Sequence, residues 1–184
     1  MNDLLTSDHR ELDALLGRLY AAIDAGIPTG IFEKLDIFWA RLAMHIRAEH
    51  LHLFPAILKA VESKEKTSLD PSLESVQSTL NQLRKDHDLF VRELAAAVRL
   101  AREIVVEDKA VAEKISMIRT RVAGVHKLLE QHNEVEESHV YLLAERLIDS
   151  SQRTALIELE QRELDNLPPR FEGDRTGSQK RDYD

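Results

Sequence analysis

Along most of this chain apolar residues return at alternating steps of three and four, the spacing of a helix packed against other helices. A first run is Leu5, Leu12, Leu16, Leu19 and Ile23, and a second is Leu35, Phe38, Leu42 and Ala56. A third extends from Leu73 to Ile104 through Leu80, Leu83, Phe90 and Leu94, and a fourth from Val111 to Leu147 through Ile118, Val125 and Leu129. Six glycines and five prolines are all that interrupt 184 residues, so the elements must be few and long. The stretch 25–30, with Gly26, Pro28 and Gly30, reads as a turn. The polar stretch 63–71 ends in Asp70-Pro71, a cap followed by a proline in the first turn. A third break falls near 106–109, where the seam must reverse. The expected architecture is all-α: an up-down-up-down four-helix bundle over 1–148. A further helix at about 151–164, with Leu156, Leu159 and Leu164 on its apolar face, belongs to an appended segment 149–167, and a disordered tail follows over 168–184.

Composition removes several functions. There is no cysteine, which excludes disulfides, thiolate zinc sites, cysteine-ligated iron–sulfur clusters and cysteine nucleophiles. Lys and Arg number 25 against 33 Asp and Glu, a formal charge of −8, which argues against nucleic-acid binding and against docking on an anionic membrane. No apolar run approaches the ~18–20 residues of a membrane span. The opening Met1-Asn2-Asp3-Leu4-Leu5 lacks the basic stretch and apolar core of a secretion signal, so a cytoplasmic protein is expected.

The apolar runs have gaps, and each gap is filled by histidine or glutamate. Between Leu5 and Leu12 stands His9; between Leu42 and Ala56 stand His45, Glu49 and His52. Between Leu83 and Phe90 stands His87; between Leu129 and Leu143 stand His132, Glu136 and His139. In an up-down bundle, residues equally far from a turn lie at one height. His9 and His45 are symmetric about Ile27, the 45–49 region and His87 about Thr67, and His87 and His132 about the third break. At ~1.5 Å per residue, an error of two residues in a turn centre moves the level by only ~3 Å. The chain also repeats: Asp8-His9 is matched by Asp86-His87, and His45-x-x-x-Glu49-x-x-His52 by His132-x-x-x-Glu136-x-x-His139. Two hairpins with equivalent polar insertions suggest a pseudo-twofold bundle with two like metal positions.

A buried layer of imidazoles and carboxylates without counter-charge would threaten the ~5–15 kcal/mol that stabilises a domain. Bound cations remove that cost. His at i and Glu at i+4 share a helix face and can reach one centre. Nitrogen-rich ligation with carboxylate suits iron, with zinc, manganese or copper as alternatives. Satisfied His–Glu core pairs or a solvated slot would explain any one of these residues, but six positions on four helices would each need a separate coincidence.

These residues resemble the hemerythrin-like HHE cation-binding domains, whose pattern is His on helix one, His-x-x-x-Glu on helix two, His on helix three and His-x-x-x-Glu on helix four. Here those are His9, His45 with Glu49, His87, and His132 with Glu136, and the hydrophobic-aromatic-Pro element that often follows helix two is Leu53-Phe54-Pro55. The fourth helix has Val140-Tyr141-Leu142 instead. The resemblance spans roughly 4–148 and implies an oxo- or hydroxo-bridged pair of iron ions, with Glu49 and Glu136 as bridges. Oxygen-carrying hemerythrins have a second His four residues from the first on helix three. Leu83 and Val91 stand at those positions here, which argues against reversible oxygen carriage. His52 and His139, three residues after each bridging Glu, are candidates to complete the ligand set. His50 and His126 are expected at the rim or in hydrogen bonds behind the ligands. Asp8, Asp13, Asp86 and Asp88 default to solvated surface, though any could orient an imidazole. Glu134 and Glu137 are expected to face water, Trp39 to be core, and Tyr141 to be core or a donor to a bound oxygen species.

Three functions follow from this reading. One is a di-iron protein that binds or reduces oxygen, peroxide or nitric oxide, as sensor, store or detoxifier, with Leu42, Leu83, Phe90 and Leu129 walling the site. A second is a ferritin-like oxidase or iron-handling protein, which would supply Glu where this chain has His9 and His87. A third is a bundle with structural metal whose last helix and tail dock a protein partner or a second copy.

Overall fold

The structure is a computed structural model that describes residues 2–63, 71–107 and 109–167. Among these residues it is helical throughout, without a strand: α1 (Asn2–Ala25), α2 (Pro28–Ala48), α3 (Phe54–Ser63), α4 (Leu73–Val106), α5 (Val111–Val135), α6 (Tyr141–Leu147) and α7 (Ser150–Asp165). Two π turns join four of them into longer rods: Glu49–Leu53 between α2 and α3, and Glu136–Val140 between α5 and α6.

Local chemistry sets the breaks. Gly26 takes a left-handed φ of 67° after α1, where its N–H bonds back to the carbonyls of Ala22 and Ile23. Pro28 opens α2, where its missing N–H costs nothing. The cap of α4 is Ser72, whose hydroxyl accepts the Ser75 N–H at 3.1 Å, so capping falls two residues later than Asp70. Asp70 itself lies outside the described residues, as do the rest of 64–70 and the expected tail at 168–184. The third break stands at 107–110, closed by Ala110 at a φ of 54°. Asp149 caps α7 by accepting the Gln152 N–H at 2.9 Å.

In both π turns the bond closes over five residues, from the Phe54 N–H to the Glu49 carbonyl and from the Tyr141 N–H to the Glu136 carbonyl. Pro55 lacks an N–H and its ring would crowd the Leu51 carbonyl in a continuous α-helix, which favours the wider turn. The second π turn forms without a proline, so the repeat carries this feature beyond that one residue.

Helix α1 packs on α2, α2 on α4, α4 on α5 and α5 back on α1, while α3 meets α4 and α6. Helix α7 lies against α2 and the first π turn. Two apolar clusters result. One contains Leu12, Leu16, Phe38, Phe90 and Leu129, with Trp39 packed at its edge. The other contains Leu5, Leu53, Phe54, Leu80, Tyr141 and Leu164. Between them lies a layer of buried polar side chains. No described helix is long and apolar enough to cross a membrane.

Candidate metal centre

Six of the eight expected donors converge in that layer. His9, His45, Glu49, His87, His132 and Glu136 are each at most 3% exposed. They form two groups, His9/His45/Glu136 and Glu49/His87/His132/Glu136, each offering one donor atom per residue within 4.8 Å of the others. Each glutamate faces both groups. Glu49 Oε1 lies 3.6 Å from His45 Nε2, and its Oε2 lies 3.3 Å from His87 Nε2. Glu136 Oε1 lies 2.9 Å from His132 Nε2, and its Oε2 lies 3.4 Å from His9 Nε2.

Outer hydrogen bonds leave the Nε2 atoms free to ligate. His45 Nδ1 donates to Asp8 Oδ2 at 2.8 Å, and His9 Nδ1 donates to Glu137 Oε1 at 2.7 Å. His132 Nδ1 faces Asp86 Oδ2 at 3.3 Å, and His87 Nδ1 lies 2.8 Å from His50 Nε2. With their Nδ1 atoms bonded outward, His9 and His45 bring their Nε2 atoms within 3.1 Å of each other. Two nitrogens ~2.1 Å from one cation and at a right angle to each other lie ~3 Å apart, so this spacing fits shared ligation. Glu49 Oε2, His87 Nε2, His132 Nε2 and Glu136 Oε1 are moreover buried without a hydrogen-bond partner. Orphaned atoms of this kind are costly unless a cation meets them. The residues present therefore fit a bound metal.

Electrostatics agrees. Burial pushes the His87 imidazole down to about 2, so it stays neutral and ready to donate its lone pair. Burial also lowers His45 more than its bond to Asp8 raises it. His9 and His132 are buried too, which would lower them, but Glu136 beside both, with Glu137 at His9 and Asp86 at His132, raises them on balance. Burial and then the Glu136 charge hold the Glu49 carboxyl well above the usual range. Burial would raise Glu136 as well, yet His132 and His9 hold it well below. Without metal, these opposite shifts make Glu49 the more readily protonated of the two. Tyr141, raised well above its usual value by burial and these carboxylates, stays a phenol.

His52 and His139 are not in the layer. His52 is half-buried, 3.7 Å from Glu163 on α7, and His139 is exposed and bonded to Ser138 Oγ at 2.6 Å. The cause is the π turn. Its wider coil turns less per residue, so a side chain three positions after each Glu falls short of the interior that α periodicity would give it.

The same turns bring in His50, expected at the rim or behind the ligands, Tyr141, expected as core or a donor, and also Glu137, which was expected to face water. The residue after each Glu caps the single histidine of the other hairpin: His50 caps His87, and Glu137 caps His9. The residue five after each Glu stacks on that same imidazole, Phe54 on His87 at 6.2 Å between ring centroids and Tyr141 on His9 at 5.8 Å. The Tyr141 hydroxyl stands 3.0 Å from Glu49 Oε1, 3.2 Å from His9 Nε2 and 3.4 Å from Glu136 Oε2. Asp8, expected at the surface, is buried, and burial alone would raise it, but His45 and Arg41 hold its carboxyl low. The Asp8-His9 and Asp86-His87 repeat carried that signal, since each Asp serves the histidine of the next rod. Asp13, Asp88 and Glu134 are exposed, and His126 contacts Tyr20 at 3.3 Å away from the layer.

No curated protein and no solved structure gives a significant match to the chain. The profile of the Hemerythrin HHE cation binding domain matches residues 1–144, a span that contains all six converging donors and stops short of α7. The chain therefore belongs to the hemerythrin HHE cation-binding domain family.

Proposed function

We propose that this protein holds two metal ions, preferentially iron, and binds or reduces dioxygen, peroxide or nitric oxide as a sensor, store or detoxifier. The observation that carries the reading is that Glu49 and Glu136 each direct one oxygen to each donor group, the disposition of a carboxylate bridging two ions. His9 and His45 would hold one ion, and His87 and His132 the other. Zinc or manganese suits the same donors. Helix α1, the α2–α3 rod, α4 and the α5–α6 rod are read as an up-down-up-down bundle over 1–148, with α7 appended in 149–167.

A pair of iron ions supplies the electrons for reducing such a ligand. The chain supplies the rest. Leu42, Leu83, Phe90 and Leu129 are buried beside the layer and exclude water from it. The Tyr141 hydroxyl, inside the layer, can give a hydrogen bond or a proton to a ligand at its Oη. Leu83 is buried and Val91 exposed, so helix α4 contributes only His87, unlike an oxygen carrier. His9 and His87 in place of carboxylates also separate the site from the ferritin-like class.

The test is to load the protein with Fe(II) without air and mix it rapidly with each ligand. Rapid optical change with stoichiometric consumption of at least one ligand is expected. Loaded protein inert to all three would contradict the reading.

A further inference from the structure

Helix α7 lies beyond the family-matched residues, yet a continuous chain of hydrogen bonds runs from it to a histidine of the layer. The Leu164 carbonyl, in the last turn of α7, accepts from Arg41 Nη1 at 2.9 Å. Arg41 Nε donates to Asp8 Oδ1 at 2.6 Å, and its Nη2 pairs with the same oxygen. Asp8 Oδ2 then accepts from His45 Nδ1 at 2.8 Å. We propose that Arg41 is a positioning residue of the metal centre, through which α7 fixes the His45 ring with its Nε2 bare.

Each link has a physical reason. The last carbonyls of a helix lack partners and carry partial negative charge, and a guanidinium satisfies both needs. The planar fork of Arg holds Asp8 in one orientation, which a lysine would not. An aspartate so held accepts the Nδ1 proton and leaves the lone pair on Nε2. Arg41 is well placed for this, with only 13% of its side chain exposed, and Nη2 also reaches Glu11 at 3.1 Å.

The molecule contains its own control. Arg41 precedes His45 by four residues; the residue four before His132 is Leu128. In that second half Asp86 is held by Gln82, at 2.9 Å on the same helix, and among the described residues α7 packs on α2 and the first π turn instead. The clamp thus belongs to the His9/His45 half alone. Docking of α7 is reinforced by Glu163, which Arg47 reaches at 3.0 Å, and by buried Leu156 and Leu164.

The inference rests on reading His45 as a metal ligand, so its test begins without metal. In metal-free protein, nitrogen-15 spectra of His45 should show the Nδ1–H tautomer, and Arg41→Met should mix the tautomers, with Arg41→Lys intermediate. Leu156→Ala, which loosens α7 without touching the clamp, should move His45 in the same direction. In zinc titrations Arg41→Met should weaken one of the two binding steps by about 10- to 100-fold and leave the other. Coupling is reciprocal, so zinc should slow hydrogen exchange of the α7 amides in the unaltered protein. Unchanged His45 tautomer and zinc affinity in Arg41→Met, or α7 exchange indifferent to zinc, would overturn the proposal. Absence of zinc at the His9/His45 position with the tautomer shift intact would overturn the ligand reading and not the clamp.

Discussion

In the half of the layer built by α1 and α2, His9 and His45 donate Nδ1 hydrogen bonds to Glu137 and Asp8, and a tyrosine hydroxyl stands over His9. In the half built by α4 and α5, His87 meets a neutral partner, His50, and a phenylalanine stacks upon it. The donors themselves are matched position for position. The difference lies one residue and five residues after each glutamate: Glu137 and Tyr141 make the first half more anionic and protic, whereas His50 and Phe54 make the second less charged, although Asp86 still faces His132. A repeat can therefore fix where ligands stand while single substitutions behind them set the charge that each ion would meet.

The largest expected effect removes what the halves share. Glu136 belongs to both donor groups, so Glu136→Ala should abolish binding of both ions together. It should also remove the metal-dependent stabilisation, ~3–4 kcal/mol when free metal exceeds the Kd by 100- to 1,000-fold, as read by thermal unfolding with and without metal. Loss of only one ion would break the two halves apart.

Next comes Glu160, on the buried face of α7, which is fully buried with neither carboxylate oxygen hydrogen-bonded. Burial pushes it up from 4.5 to about 8. Because the folded value lies above the unfolded one, its ionisation adds no cost below about 4.5, and stability falls as pH rises towards 8. Glu160→Gln should match the unaltered protein in acid and exceed it by a few kcal/mol at pH 8 and above, measured by urea unfolding across pH. A difference independent of pH would show that the carboxyl is hydrated in the folded protein.

Much of this could be read in the sequence, for reasons that residues make plain. His9, His45, Glu49, His87, His132 and Glu136 interrupt apolar runs, and helical periodicity alone puts them inside. The same periodicity misplaces His52 and His139, because a π turn is a local choice of hydrogen bond that leaves no trace in hydropathy. Asp8 was partly legible, since the Asp8-His9 and Asp86-His87 repeat marked it as able to orient an imidazole, but its burial was not, and Arg41 gave no signal. Arg41 stands between Ala40 and Leu42, and only its hydrogen bonds to Asp8 and to the Leu164 carbonyl of α7 show its role. Ser72 rather than Asp70 caps α4, a shift of two residues within one polar stretch.

Two smaller effects sharpen the contrast between halves. Glu137→Gln and His50→Ala should each weaken one binding step by about tenfold, ~1.4 kcal/mol, and not the same step. Stepwise cobalt titration, with its optical bands, distinguishes the two, and equal weakening of both steps in either variant would erase the distinction. His52→Ala and His139→Ala should change stability by no more than ~0.5 kcal/mol and leave metal content untouched, as befits side chains outside the layer. A lost ion in either variant would return that histidine to the ligand set.

The central claim is tested most directly by counting ions. Anaerobic titration of the metal-free protein with Fe(II), followed by removal of excess and elemental analysis, should end at two irons per chain. One iron per chain, or none retained, would contradict a layer in which two carboxylates each serve two ions.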